Sequence, residues 1–226
     1  MRSLSIALGL MLASASLLAA PQDRPVTEED FKTTEKQKHE RIYSPYAGRE
    51  YPDDVFFGDT HFHTNLSFDA GLVGTSLDAH AGFRMARGEE VLSNTGQRVQ
   101  LIRPLDFLAI SDHAELIGLA PMLQASDPLL LADPWGKWAH ERFNAGPEGR
   151  MEAFTDIIKW GTVKLENPFS SDDAARSIWR EFVKKAETYN EPGRFTAMTG
   201  FEWTSSPQGN NLHRCVIFAD DADVTS

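Results

Sequence analysis

The chain has 226 residues and 41% hydrophobic content, which suits one globular domain or one domain carrying an insertion. Its formal net charge of −11 argues against non-specific binding to nucleic acid or anionic membranes, which needs basic patches, so no nucleic-acid partner is expected. The single cysteine, Cys215, excludes an internal disulfide, and its place in Cys215-Val216-Ile217-Phe218 suits a small buried side chain.

Met1-Arg2-Ser3, the apolar stretch from Leu4 to Ala20 and the polar Pro21-Gln22-Asp23 read as a secretory signal peptide over 1–20. The stretch is slightly short for a span of about 20 residues, so a retained anchor fits less well. The mature chain is therefore expected to be periplasmic or secreted, with no membrane attachment after cleavage. Residues 21–52, punctuated by Pro25, Pro45, Gly48 and Pro52, read as an N-terminal arm with a short helix around Glu28–His39. His39 there is most simply an exposed residue.

From Asp53 onward (53–226) strands and helices alternate, an α/β pattern. Strands are expected at Val55–Gly58, Leu105–Ile110, Phe195–Phe201 and Val216–Ala219, with a helix over Ser76–Arg87 closed by Gly88. Runs that are apolar on both faces and separated by helices imply a parallel sheet or a barrel. In such folds chemistry gathers at the carboxyl ends of the strands. Residues 114–193 read as a helical insertion contributing no metal ligand, His140 and Asp133 included. Its clearest helix runs from about Ser171 to Tyr189, with Ala175, Ile178, Trp179, Phe182, Val183 and Ala186 forming one apolar stripe. A serine cap, Asp172 and Asp173 at its start and Pro192-Gly193 beyond its end support those limits. Trp135, Trp138 and Trp160 are assigned to packing.

Chemistry concentrates in a few short segments. Asp59, His61 and His63 stand at i, i+2 and i+4 after Val55-Phe56-Phe57, a spacing that puts all three on one face of a strand. Ile110-Ser111-Asp112-His113 closes a second apolar run, Phe201-Glu202-Trp203 delivers a carboxylate from a third, and Asn211-Leu212-His213 enters the fourth. Imidazole and carboxylate together suit zinc, iron or manganese. Such ligands leave coordination positions open for water, whose pKa falls toward neutrality.

The order HxHT, Ser-x-Asp, SDH, GFEW and NLH resembles the PHP superfamily, named for its polymerase and histidinol-phosphatase members. It is most similar to a branch of secreted bacterial proteins, domain-of-unknown-function family 3604. The resemblance implies a distorted (β/α)7 TIM-like barrel, incomplete in this chain, holding two or three divalent ions at the strand ends. By motif position His61 and His63 resemble ligands of a first ion and Glu202 a carboxylate bridging two ions. His213 resembles a ligand of the second, and Asp69 and His113 ligands of a third. Asp59 and Asp112 are expected to orient the neighbouring imidazoles, and Thr64 and Ser67 to shape the loop. Glu202 and His213 are the expected catalytic groups, with manganese, zinc or iron as cofactor. The late ligands of the family have no matching positions, and the chain is expected to be the N-terminal part of a longer protein.

The implied activity is metal-dependent hydrolysis of a small phosphoester or related ester by metal-bound hydroxide. Two alternatives stay open. One is an amidohydrolase-type C–N or C–O hydrolase, which would want a bridging lysine or further histidines. The other is a metal-binding or partner-binding module without turnover.

Overall fold

The computed structural model describes residues 54–164 and 166–225. The signal peptide, the arm and His39 lie outside the described residues. The domain is α/β, with a curled half-barrel sheet of four strands in the order β1-β4-β5-β6. The strands are β1 (Gly58–Phe62), β4 (Phe107–Ile110), β5 (Thr196–Ser205) and β6 (Leu212–Ile217). The first three run parallel, while β6 returns antiparallel to β5, so the expectation of an all-parallel sheet is corrected at this strand. The link from Ser205 to Leu212 is too short for a parallel crossover of a dozen or more residues, so only a hairpin return is available.

The first strand also begins later than the apolar run suggested. Val55, Phe56 and Phe57 are exposed and precede β1. Gly58 pairs with Phe107, and a Cβ at Gly58 would lie 2.3 Å from the Phe107 carbonyl oxygen, so close pairing begins at a residue without a side chain. The shift puts Asp59 and His61 inside the strand and His63 just beyond it.

β4 is the buried centre, with Leu108, Ala109 and Ile110 almost wholly covered, as both-face apolar strands are in parallel sheets. Helices α2 (Ala79–Ala86) and α7 (Asp172–Tyr189) cover one face, burying Phe83, Phe182, Val183 and Tyr189 against Leu108 and Ile110. Asp78 caps α2 through the Ala81 N–H and Ser171 caps α7 through the Ala174 N–H. A small hairpin, β2 (Val91–Leu92) with β3 (Arg98–Val99), follows α2 and had no counterpart in the expected elements.

A second core joins α1 (Phe68–Val73) to α3 (Leu119–Ala125), α4 (Pro128–Ala132), α5 (Pro134–Asn144) and α6 (Pro147–Lys159). Leu72, Leu123, Leu130 and Phe143 fill it, with Trp135 and Trp138 packed against its edge. After α6 the chain widens into a five-residue π-helical turn, Trp160–Lys164, a form often found at functional sites. A short α8 (Ala222–Thr225) closes the described chain, where the Thr225 carbonyl accepts the Trp179 indole N–H.

Candidate metal centre

Backbone register brings the distant motifs together. Beyond the end of β4 the chain stays beside β5: the Glu202 N–H donates to the Asp112 carbonyl and the Ala114 N–H to the Glu202 carbonyl, so His113 lies opposite Glu202. In the β5–β6 hairpin Thr204 pairs with His213 and Glu202 with Cys215, which turns Glu202, Thr204 and His213 to one face. β1 contributes His61, the following residue pair contributes His63, and the first turn of α1 contributes Asp69.

Glu202 is the hub. Its side chain is 1% exposed, with Oε2 3.0 Å from His61 Nε2, 2.8 Å from His63 Nε2 and 3.6 Å from His113 Nε2. Its Oε1 lies 2.6 Å from His213 Nδ1. Asp69 faces His63 Nδ1 at 3.2 Å and His113 Nε2 at 3.6 Å. The six expected ligands thus form three interlocking triads: His61, His63 and Glu202; His63, Asp69 and His113; His113, Glu202 and His213.

Hydrogen bonding accounts for only part of this proximity: His61 Nε2 meets Glu202 Oε2 at 3.0 Å and His63 Nδ1 meets Asp69 Oδ1 at 3.2 Å. His63 Nε2 and Glu202 Oε1 are buried without a hydrogen bond, although each lies within 2.8 Å of a polar atom across the cluster. A buried polar atom without a partner costs about 1–3 kcal/mol, so native proteins seldom leave one. Donor atoms crowded together without mutual alignment fit a shared cation, and the mixed imidazole–carboxylate set suits zinc, manganese or iron.

The electrostatics are those of a charged cluster held out of water. Burial works against the His113 cation, but Asp69 and Glu115 outweigh it and push its pKa up to about 9. His63 follows the same balance, lowered by burial and raised overall by Asp69 and Glu202. Burial favours the neutral form of Asp69, yet hydrogen bonds from His113, His63 and Ser67 and from the Ala70 N–H hold it well below the ordinary carboxylate range. Glu202 is likewise held low, with His61, His113 and His63 overcoming the cost of burial.

Around the ligands sits a supporting layer. Ser67 Oγ is fully buried, donates to Asp69 Oδ1 at 2.6 Å and accepts the His113 N–H at 3.1 Å, tying the loop after His63 to the end of β4. The hydrogen bonds of Asp59 and Asp112 go to backbone and to Thr64 rather than to an imidazole. Asp59 accepts the His61 backbone N–H, and Asp112 accepts the Thr64 N–H and the Thr64 hydroxyl at 2.7 Å. Both hold backbone shape, and burial pushes Asp112 up to about 6. Two residues that sequence reasoning left unassigned take the orienting role. Thr204 Oγ1 lies 3.0 Å from His113 Nδ1 and 3.1 Å from His213 Nδ1, and Glu115 Oε2 lies 3.6 Å from His113 Nδ1. These contacts occupy Nδ1 of His113 and leave its Nε2 facing Asp69 and Glu202, as outer partners of metal-bound imidazoles do. Each stands two positions beyond an expected ligand, His113 or Glu202, which is the one signal the sequence carried for them. Phe68 stacks beside His113, ring centroids 4.9 Å apart.

His140 lies elsewhere, with Nε2 2.9 Å from Ser126 Oγ, and Asp133 caps α5 through the Trp135 and Gly136 N–H groups. Cys215 is half-buried with Sγ 3.6 Å from Ser111 Oγ. No helix among the described residues is long and apolar enough to cross a membrane.

No curated protein and no solved structure matches the chain. The model of a family described as "Protein of unknown function (DUF3604)" matches residues 50–226, a span containing every residue of the three triads. The chain belongs to the DUF3604 family.

Proposed function

We propose that the chain is an exported metal-dependent hydrolase of phosphoesters or related esters, related to the PHP superfamily and its TIM-like barrel. The observation that carries this reading is the set of three triads linked through Glu202, His63 and His113, with two buried donor atoms lacking hydrogen bonds. Divalent cations bound there supply Lewis-acid activation of water and of the ester oxygen. Manganese, zinc and iron all suit the donors. The three parallel strands, with ligands at or just past their carboxyl ends, support the barrel relation. Export rests on the N-terminal charged and apolar pattern.

The chain's own groups divide the work by exposure. Glu202, His63 and His113 form a buried floor, while the imidazoles of His61 and His213 are 54% and 43% exposed and mark the open side. Substrate approaches over His61 and His213, where its ester oxygen meets the cluster. Water adds to phosphorus or carbonyl carbon, the bond to the departing alkoxide breaks, and the proton from water leaves with that alkoxide. Glu202 balances positive charge at the centre throughout. Thr204 and Glu115 keep the His113 ring fixed while charge shifts.

The test is hydrolysis of bis(p-nitrophenyl) phosphate and p-nitrophenyl acetate by chelator-treated protein before and after manganese or zinc is restored. Activity that appears only with metal and disappears in Glu202→Gln supports the reading. Hydrolysis that survives chelation overturns it.

A further inference from the structure

Beside the candidate metal centre lies a cavity of about 360 Å³, three of whose lining residues, Phe68, Glu115 and Thr204, touch His113. The volume suits a group about the size of one substituted ring, at the small end of ligand pockets. Its apolar walls come from Phe68, Ile157, Ile158 and Trp203, the last 43% exposed near the carboxyl end of β5. Its charged groups are two carboxylates, Glu115 and Glu166, and no lysine or arginine lines it among the described residues. The nearest cations in sequence are engaged elsewhere. Lys164 Nζ sits 3.3 Å from the centroid of the Trp160 ring, and Lys159 lines a separate cavity with Glu152 and Asp156.

A phosphate- or carboxylate-bearing group placed here would lose water without gaining a counter-ion and would face two carboxylates. An aromatic wall beside carboxylates instead favours an uncharged ring or an organic cation. We propose that this cavity is the subsite for the substrate group next to the scissile bond, and that it selects an uncharged or cationic, apolar-bodied group against an anionic one. This rests on the hydrolase reading for the word substrate, while the binding preference itself belongs to the cavity. It narrows the ester class to those with a neutral or cationic ring-sized substituent and disfavours substituents that carry a further phosphate or carboxylate at that position.

The π-helical turn supplies a clean probe. A Cβ added at Gly161, which lines the cavity, meets nothing within 4 Å, so Gly161→Phe adds bulk at the cavity wall without a clash at its Cβ. Ligand-observed NMR on the metal-free full chain with phenyltrimethylammonium, benzyl alcohol and benzoate compares one ring carrying three charges. The expected result is that the first two bind at least tenfold tighter than benzoate. Gly161→Phe should abolish binding of both, and Glu166→Gln should narrow the gap between cation and anion at least threefold. Circular dichroism of the variants identifies any loss of fold, and Trp203→Ala provides a second blocking variant. Equal or preferred binding of benzoate overturns the proposal, as does preference unchanged by both Gly161→Phe and Trp203→Ala. Preference for the cation together with no ester hydrolysis by the metal-loaded protein sinks the hydrolase reading and leaves the subsite standing. Metal-dependent hydrolysis without the charge preference does the reverse.

Discussion

Replacing Glu202 by glutamine removes one oxygen charge from the point where two triads meet. The side chain is 1% exposed and lies within 3.6 Å of His61, His63 and His113, with His213 closer still. In the metal-free protein Glu202 is held below its ordinary pKa, so its ionised form adds stability at pH values above the unfolded carboxylate range. Breaking a buried pair from one side costs about 3–5 kcal/mol, and because His61 and His213 are about half exposed the low end, about 3 kcal/mol, applies. For a chain of this size that is a fall of roughly 6–12 °C in Tm. In metal binding the loss is larger than for an end ligand, because Glu202 serves two triads and His61 one. Glu202→Gln is expected to weaken binding by more than about 100-fold, about 2.8 kcal/mol at 1.4 kcal/mol per decade, and His61→Ala by about tenfold. Zinc titration against a competing chelator measures the affinities, and thermal melts of the chelated proteins measure the stabilities. Equal losses in the two variants, or Glu202→Gln affinity within threefold of the unchanged protein, would refute the hub assignment.

Metal uptake should release protons, since His63 and His113 have raised pKa values and must be neutral to bind. Affinity is therefore expected to climb between pH 7 and 9, read by calorimetry in buffers of different ionisation enthalpy, and a flat profile contradicts the account. In the metal-free protein, stability from His113 is fully present below about 6.5 and is lost as pH rises through about 9, so chelated Tm should fall across that window while the metal-loaded Tm does not. Gly58→Ala forces a Cβ to within 2.3 Å of the Phe107 carbonyl and should cost about 1–3 kcal/mol by disturbing β1 pairing, with metal affinity falling alongside Tm. His140→Ala, which touches Ser126 and Asn144, should leave metal affinity unchanged; a large loss would mean a ligand has been missed.

Much of the site was legible because its ligands sit in short segments next to apolar runs. The i, i+2, i+4 spacing of Asp59, His61 and His63 implied a strand face, and α7 was visible in its stripe and its Ser171 cap. What the sequence hid were pairings between distant segments. The direction of β6 depends on its partner across the hairpin, and no local pattern records that. The late start of β1 follows from the close approach of Gly58 to Phe107, a contact invisible in the run Val55-Phe56-Phe57. Asp59 and Asp112 were assigned to imidazoles by motif position, whereas the folded chain turns both toward backbone N–H groups. Thr204 and Glu115 reach His113 only because β5 lies beside the extension of β4. The Trp160–Lys164 turn, which supplies one wall of the cavity, carried no sequence signal.

Anomalous diffraction from crystals soaked in manganese or zinc tests the metal centre most directly. The account predicts at least two peaks inside the triads, each within bonding distance of at least one of Glu202, His63 and His113, and at least one of them bound to Glu202. Peaks confined to surface carboxylates, with none bound to Glu202, would contradict it.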